Sequence, residues 1–124
     1  MKLRIDKGSL RLRLNRPDVD QFRKTGVCTE SLRFGSGAQL TYTLETSSRL
    51  KGIEAEYSPE GIRVLLPPEM AREWAASDQV SLSLNRADDG GPSLLIEKDF
   101  QCLHRNPDGR NDDSGAFPNP LARP

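Results

Sequence analysis

Apolar and polar residues alternate from the first position of the chain. Met1, Leu3 and Ile5 fall on one side, and after Asp6-Lys7-Gly8 the same spacing returns with Leu10, Leu12 and Leu14. Period-two alternation places side chains on opposite faces of a strand, and the intervening Gly supplies a turn, so residues 1–14 predict a β-hairpin. Asn15 is a helix-capping residue, with Pro17 tolerated in the first turn, Asp18 favoured near the N-terminal partial charge, and Val19 and Phe22 spaced to face a core; Gly26 would end the helix. Strand spacing resumes with Cys28, Leu32 and Phe34, turns at Gly35-Ser36-Gly37 and returns with Leu40, Tyr42 and Leu44. The first half therefore reads β-β-α-β-β.

Displacing the chain against itself by 52 residues repeats that order. Met1, Leu3 and Ile5 fall on Ile53, Ala55 and Tyr57; Leu10, Leu12 and Leu14 on Ile62, Val64 and Leu66; Phe22 on Trp74; Cys28 and Leu32 on Val80 and Leu84; Tyr42 and Leu44 on Leu94 and Ile96. Pro68 opens a second helix as Pro17 does the first, with Met70 and Trp74 at core spacing. The identities include Arg11 with Arg63, Leu14 with Leu66 and Glu45 with Glu97. A half of about 45 residues buries too little surface to be secure and leaves strand edges unpaired. Two interlocked halves solve both problems. The expected fold is mainly β with two short helices (α+β), a pseudo-twofold duplicated β-β-α-β-β barrel or sandwich, with repeats at about 1–46 and 53–98.

Composition adds a boundary and a dipole. Residues 101–124 are rich in Pro, Asp and Asn and lack apolar periodicity, so residues 1–100 are expected to form one domain and the remainder a C-terminal tail. The chain has 18 basic and 18 acidic residues; residues 1–50 hold 10 basic and 5 acidic, and residues 51–100 the reverse. Overall neutrality argues against a uniformly basic nucleic-acid binder. Apolar runs are no longer than three residues, so neither a membrane span nor a secretory leader is expected, and the expected location is cytoplasmic.

Gly61-Ile62-Arg63-Val64-Leu65-Leu66-Pro67-Pro68-Glu69-Met70-Ala71-Arg72-Glu73-Trp74, followed by Ser77-Asp78-Gln79-Val80-Ser81-Leu82-Ser83-Leu84, resembles AbrB-type swapped-hairpin modules. In those, a glycine-bearing turn, a strand ending in proline, a short helix and an acidic turn lead into two strands. The resemblance implies interlaced units and a DNA-binding regulator with surface arginines. The glycine usual after the helix is replaced by Ala75-Ala76-Ser77-Asp78. The whole chain is also similar to a small bacterial family of unknown function. Its members open with Met1-Lys2-Leu3-Arg4-Ile5 and Ser9-Leu10-Arg11-Leu12-Arg13-Leu14, and close with Glu97-Lys98-Asp99-Phe100-Gln101-Cys102-Leu103-His104-Arg105 and Phe117-Pro118-Asn119-Pro120. That similarity implies a shared fold and brings no activity with it.

Three chemistries can be drawn from the residues. Arg11 and Arg13 alternate with the Leu10–Leu14 face, so with Arg4 they form a stripe, flanked by Lys2, Arg16 and Arg23, able to contact nucleic acid or another anion. Cross-strand pairing with acidic residues of the second half would neutralise it. Cys102, His104, Asp112 and Asp113 are of zinc-ligand type, with Cys28 a further candidate, and Cys102 beside His104 could act as a thiol nucleophile. Phe100, Leu103 and Phe117 could instead dock the tail on the domain. No phosphate-cradling glycine loop, nucleophile elbow or dinucleotide fingerprint is present. The expected function is a non-catalytic binding or regulatory module that meets a protein partner or a second copy of itself, with no membrane. A DNA-binding regulator using the arginines and a metal-binding or thiol enzyme are the alternatives; no cofactor is expected unless zinc is held.

Overall fold

The computed structural model describes residues 1–86 and 90–99. The elements run β1 (Lys2–Asp6), β2 (Ser9–Leu14), α1 (Arg16–Thr25), β3 (Val27–Arg33), β4 (Gln39–Thr46), β5 (Glu54–Ser58), β6 (Gly61–Leu66), α2 (Pro68–Ala76), β7 (Ser81–Leu84) and β8 (Ser93–Lys98). The order is β-β-α-β-β twice over, as the alternation predicts. The helix caps follow the sequence: the Asn15 side chain accepts from the Asp18 amide while Asp18 accepts from the Asn15 amide, and Gly26 closes α1 with a left-handed φ of 79°.

The strands form two sheets, ordered β1-β2-β8-β7 and β3-β4-β6-β5. Each sheet joins the leading hairpin of one half to the trailing hairpin of the other. At the centre of each, the two halves meet in parallel: Leu10 and Leu12 lie opposite Leu94 and Ile96, and, 52 residues on, Ile62 and Val64 lie opposite Tyr42 and Leu44. Hydrogen bonds repeat with the same displacement. The Asp99 amide donates to the Leu14 carbonyl at 2.8 Å, and the Ser47 amide to the Leu66 carbonyl at 2.8 Å. Phe22 and Trp74, equivalent in the two halves, touch edge to face with ring centroids 6.2 Å apart, so the pseudo-twofold axis passes between them. One core contains Leu12, Leu14, Leu44, Val64, Leu66 and Ile96, contributed by both sheets.

Four details differ from the sequence reading. Among the described residues the sheets are open and there is no closed barrel, because β1, β7, β3 and β5 each keep a hydrogen-bonded neighbour on one side only. Cys28 is matched by Leu82 rather than Val80: Cys28 lies opposite Leu44, Leu82 opposite Ile96, and both are buried, whereas Val80 is exposed. The cause is the missing glycine after α2. Gly26 turns α1 directly into β3, but α2 ends at Ser77 in extended geometry and needs two further residues to reach the equivalent position. A slip of two preserves which face each side chain occupies. Leu32 and Phe34 are exposed, Phe34 lying in the β3–β4 turn with its amide bonded to the Ala38 carbonyl. Ile5 and Tyr57 are exposed too, at equivalent positions near the ends of the edge strands β1 and β5.

Candidate functional site

The outer faces of the two sheets carry the charged side chains that alternate with the core. On the sheet containing β1, Lys2 lies opposite Arg13, which lies opposite Glu97, which lies opposite Ser81; the next row holds Arg4, Arg11, Leu95 and Ser83. Arg4, Arg11 and Arg13 therefore do share a face. Arg13 donates twice to one Glu97 oxygen, at 2.9 Å and 2.8 Å, and the Arg11 Nε lies 3.7 Å from that same oxygen. Lys2 approaches Asp99 at 3.6 Å. Arg4 is exposed with no ion-pair partner among the described residues. Arg16 stands apart from this face, in the first turn of α1.

The other sheet presents the pseudo-equivalent face with a different charge. Its rows are Glu54, Leu65, Glu45 and Val27, then Glu56, Arg63, Thr43 and Thr29. Arg63 is held by Glu45 at 3.1 Å and by Glu56 at 3.1 Å, and these carboxylates push its pKa further up. Two of the repeat's identities are now explained: Arg11 with Glu97 and Arg63 with Glu45 are one diagonal pair built twice. At the edges the halves diverge, since Lys2 and Arg4 on β1 become Glu54 and Glu56 on β5. Reading polar as well as apolar positions along the repeat shows this inversion. Glu97 as the partner of Arg13 shows only once β2 is known to pair with β8.

A second cluster is half-buried. The Met1 amine lies 2.7 Å from Asp18 and 3.1 Å from Glu30, and the Tyr42 hydroxyl donates to the Met1 carbonyl at 2.9 Å. Burial alone would lower the pKa of the amine; its hydrogen bonds and charge contacts with Asp18 and Glu30 outweigh this and raise it above the ordinary 8.0. Cys28 points its thiol at Asp18, 3.9 Å away. Burial, then the Asp18 charge, push that thiol's pKa up. The protonated thiol is thereby favoured, and Cys28 packs within the core.

The third feature is an open cleft of about 860 Å³ between the start of α1 and the end of α2. Leu14, Val19 and Ala75 line it together with Arg16, Asp20 and Asp78. The longer connection after α2 contributes to its wall. At the equivalent place on the other side, Gly26 is packed so tightly that an added Cβ would come 2.9 Å from the Thr46 hydroxyl. Lys98 in the cleft is committed, donating to the Ser77 carbonyl at 2.7 Å and lying 5.5 Å from the Trp74 ring centre. No buried side-chain nitrogen or oxygen among the described residues lacks a partner, so no orphaned polar group converges on a ligand here.

Cys102, His104, Asp112 and Asp113, and the docking residues Phe100, Leu103 and Phe117, lie outside the described residues. Among the described residues no group of three or more metal-ligating side chains occurs, and no helix is long and apolar enough to cross a membrane.

A family model matches residues 1–121, nearly the whole sequence. The chain belongs to a family of unknown function (DUF7009). No curated protein and no solved structure matches it. The interlaced arrangement is therefore carried by the strand pairing of this chain, and no comparison confirms the AbrB resemblance of its second half.

Proposed function

We propose that the protein is a non-catalytic binding module whose working surface is the basic outer face of the β1-β2-β8-β7 sheet, and that its partner is an acidic protein surface. The observation that carries this is the opposite charge of the edge strands at matched positions, Lys2 and Arg4 against Glu54 and Glu56, on faces whose inner Arg–Glu pairs are alike. A pair common to both sheets serves the fold; a difference between them is available for recognition. Protein is favoured over nucleic acid because the cations are interleaved with Glu97 and Asp99, which a run of phosphates would meet as like charges. A mixed-charge face suits a partner with spaced carboxylates, and there it contributes to specificity and encounter rate.

The test is binding of a glutamate-rich peptide and of duplex DNA, side by side, at low and high salt. The reading expects salt-sensitive peptide binding that weakens about fivefold to tenfold in Arg4→Ala plus Arg11→Ala, consistent with one or two charge contacts. DNA bound in preference to the peptide, with a steep salt dependence, would replace this reading with the regulator. Peptide binding indifferent to both arginines would remove the face from consideration.

A further inference from the structure

Resting on that reading, we infer that the acidic partner is a second copy of this chain, joined through the β1 edge of one copy and the β5 edge of the next. Both strands lie at the edge of a four-stranded sheet and, among the described residues, have a hydrogen-bonded neighbour on one side only. Both are exposed along most of their length. An unpaired edge is a template for another strand unless something prevents it, and charge on the edge is a common safeguard. Here the safeguard is selective. Lys2 and Arg4 repel a second β1, and Glu54 and Glu56 repel a second β5, but β1 and β5 attract.

The apolar residues agree with the charges. Ile5 and Tyr57 are 64% and 85% exposed, out of keeping with their inward-facing neighbours Leu3 and Ala55. Laid side by side in parallel, β1 and β5 set Lys2 against Glu54, Arg4 against Glu56 and Ile5 against Tyr57, covering both exposed side chains at once. Arg4 and Glu54 have no ion-pair partner among the described residues of their own chain. Since the joined surfaces differ, the contact is heterologous, and each copy keeps a free basic edge at one end and a free acidic edge at the other; such contacts propagate as rows or close as rings. Five residues per strand bury a small area, so the association is weak and reversible.

The experiment is sedimentation velocity on the full chain at concentrations up to about 1 mM, in roughly 0.01 M and 1 M salt, where the screening length falls about tenfold. The wild type is expected to associate progressively at low salt and dissociate at high salt. Lys2→Glu plus Arg4→Glu makes both edges acidic, and Glu54→Lys plus Glu56→Lys makes both basic. Each variant alone should associate at least about tenfold more weakly, and an equimolar mixture of the two should regain association, because an acidic β1 then meets a basic β5. Thermal melts of each variant confirm that it folds. A wild type monomeric at 1 mM in low salt, association unaffected by either reversal, or a mixture that stays monomeric would overturn the inference. A monomeric chain that still binds the glutamate-rich peptide through Arg4 and Arg11 would leave the binding reading standing and remove only the second copy.

Discussion

Asp18 does three things with one carboxylate. It closes the cap of α1, pairs with the Met1 amine and receives the Cys28 thiol. Sequence position shows its helix role, because a carboxylate in the first turn meets the N-terminal partial charge; the reciprocal cap with Asn15 is seen in the fold. Its ion pair was not legible, since an α-amine leaves no pattern in a sequence and reaches Asp18 only once β1 is docked. The amine's pKa is raised in the fold, so its stabilising contribution is full below about pH 8 and is lost as pH rises through the higher folded value. The melting temperature of the wild type should therefore exceed that of Asp18→Asn by a margin that shrinks above pH 8. A constant margin from pH 7 to 10 would show that the amine pair contributes nothing. Gly61 gives a steric test: its φ is 131° and a Cβ there would overlap the Thr41 carbonyl oxygen. Gly61→Ala should cost at least about 2 kcal/mol in denaturant unfolding, whereas Gly8→Ala, with nothing within 4 Å, should change stability by less than about 0.5 kcal/mol.

The strands and helices were legible because their two signals, period-two alternation and capping residues, are local. The Leu10–Leu14 run alternates cleanly and all three side chains are buried. What failed was the assumption of a single gapless displacement through the whole repeat. It holds through β6 and α2, breaks where Ala75-Ala76-Ser77-Asp78 replaces a one-glycine turn, and is recovered in β8. Exposure of Ile5, Leu32 and Tyr57 was equally hidden, since alternation says which face a residue takes and not where the core ends along the strand. At this scale the helix contact is the sensitive point. Trp74 is fully buried, packs on Phe22 and donates its indole N–H to the Val80 carbonyl at 3.1 Å. Trp74→Phe should cost about 1–3 kcal/mol, from a lost hydrogen bond and a small cavity, and Trp74→Ala about 3–5 kcal/mol, both read from denaturant unfolding. If Trp74→Phe proves neutral, the bond that anchors the longer connection is immaterial.

The whole molecule is two halves that each complete the other's sheet, and this explains why neither half needs its own closed core. It also explains the surface: the shared Arg–Glu diagonals sit at the centre of each sheet, while the charges that distinguish the halves sit at the edges. The candidate arginines were legible as a stripe. Pairing with acidic residues of the second half was expected, but Glu97 as the shared partner of Arg11 and Arg13 was not legible, because the parallel contact between β2 and β8 joins residues 84 positions apart through topology alone. The most direct test is the pattern of proton contacts in solution by nuclear Overhauser spectroscopy. Backbone contacts should link Leu12 with Ile96 and Val64 with Leu44, both in parallel register. Contacts confined within each half, with β1 to β4 in one sheet and β5 to β8 in the other, would contradict the interlaced fold and everything built on it.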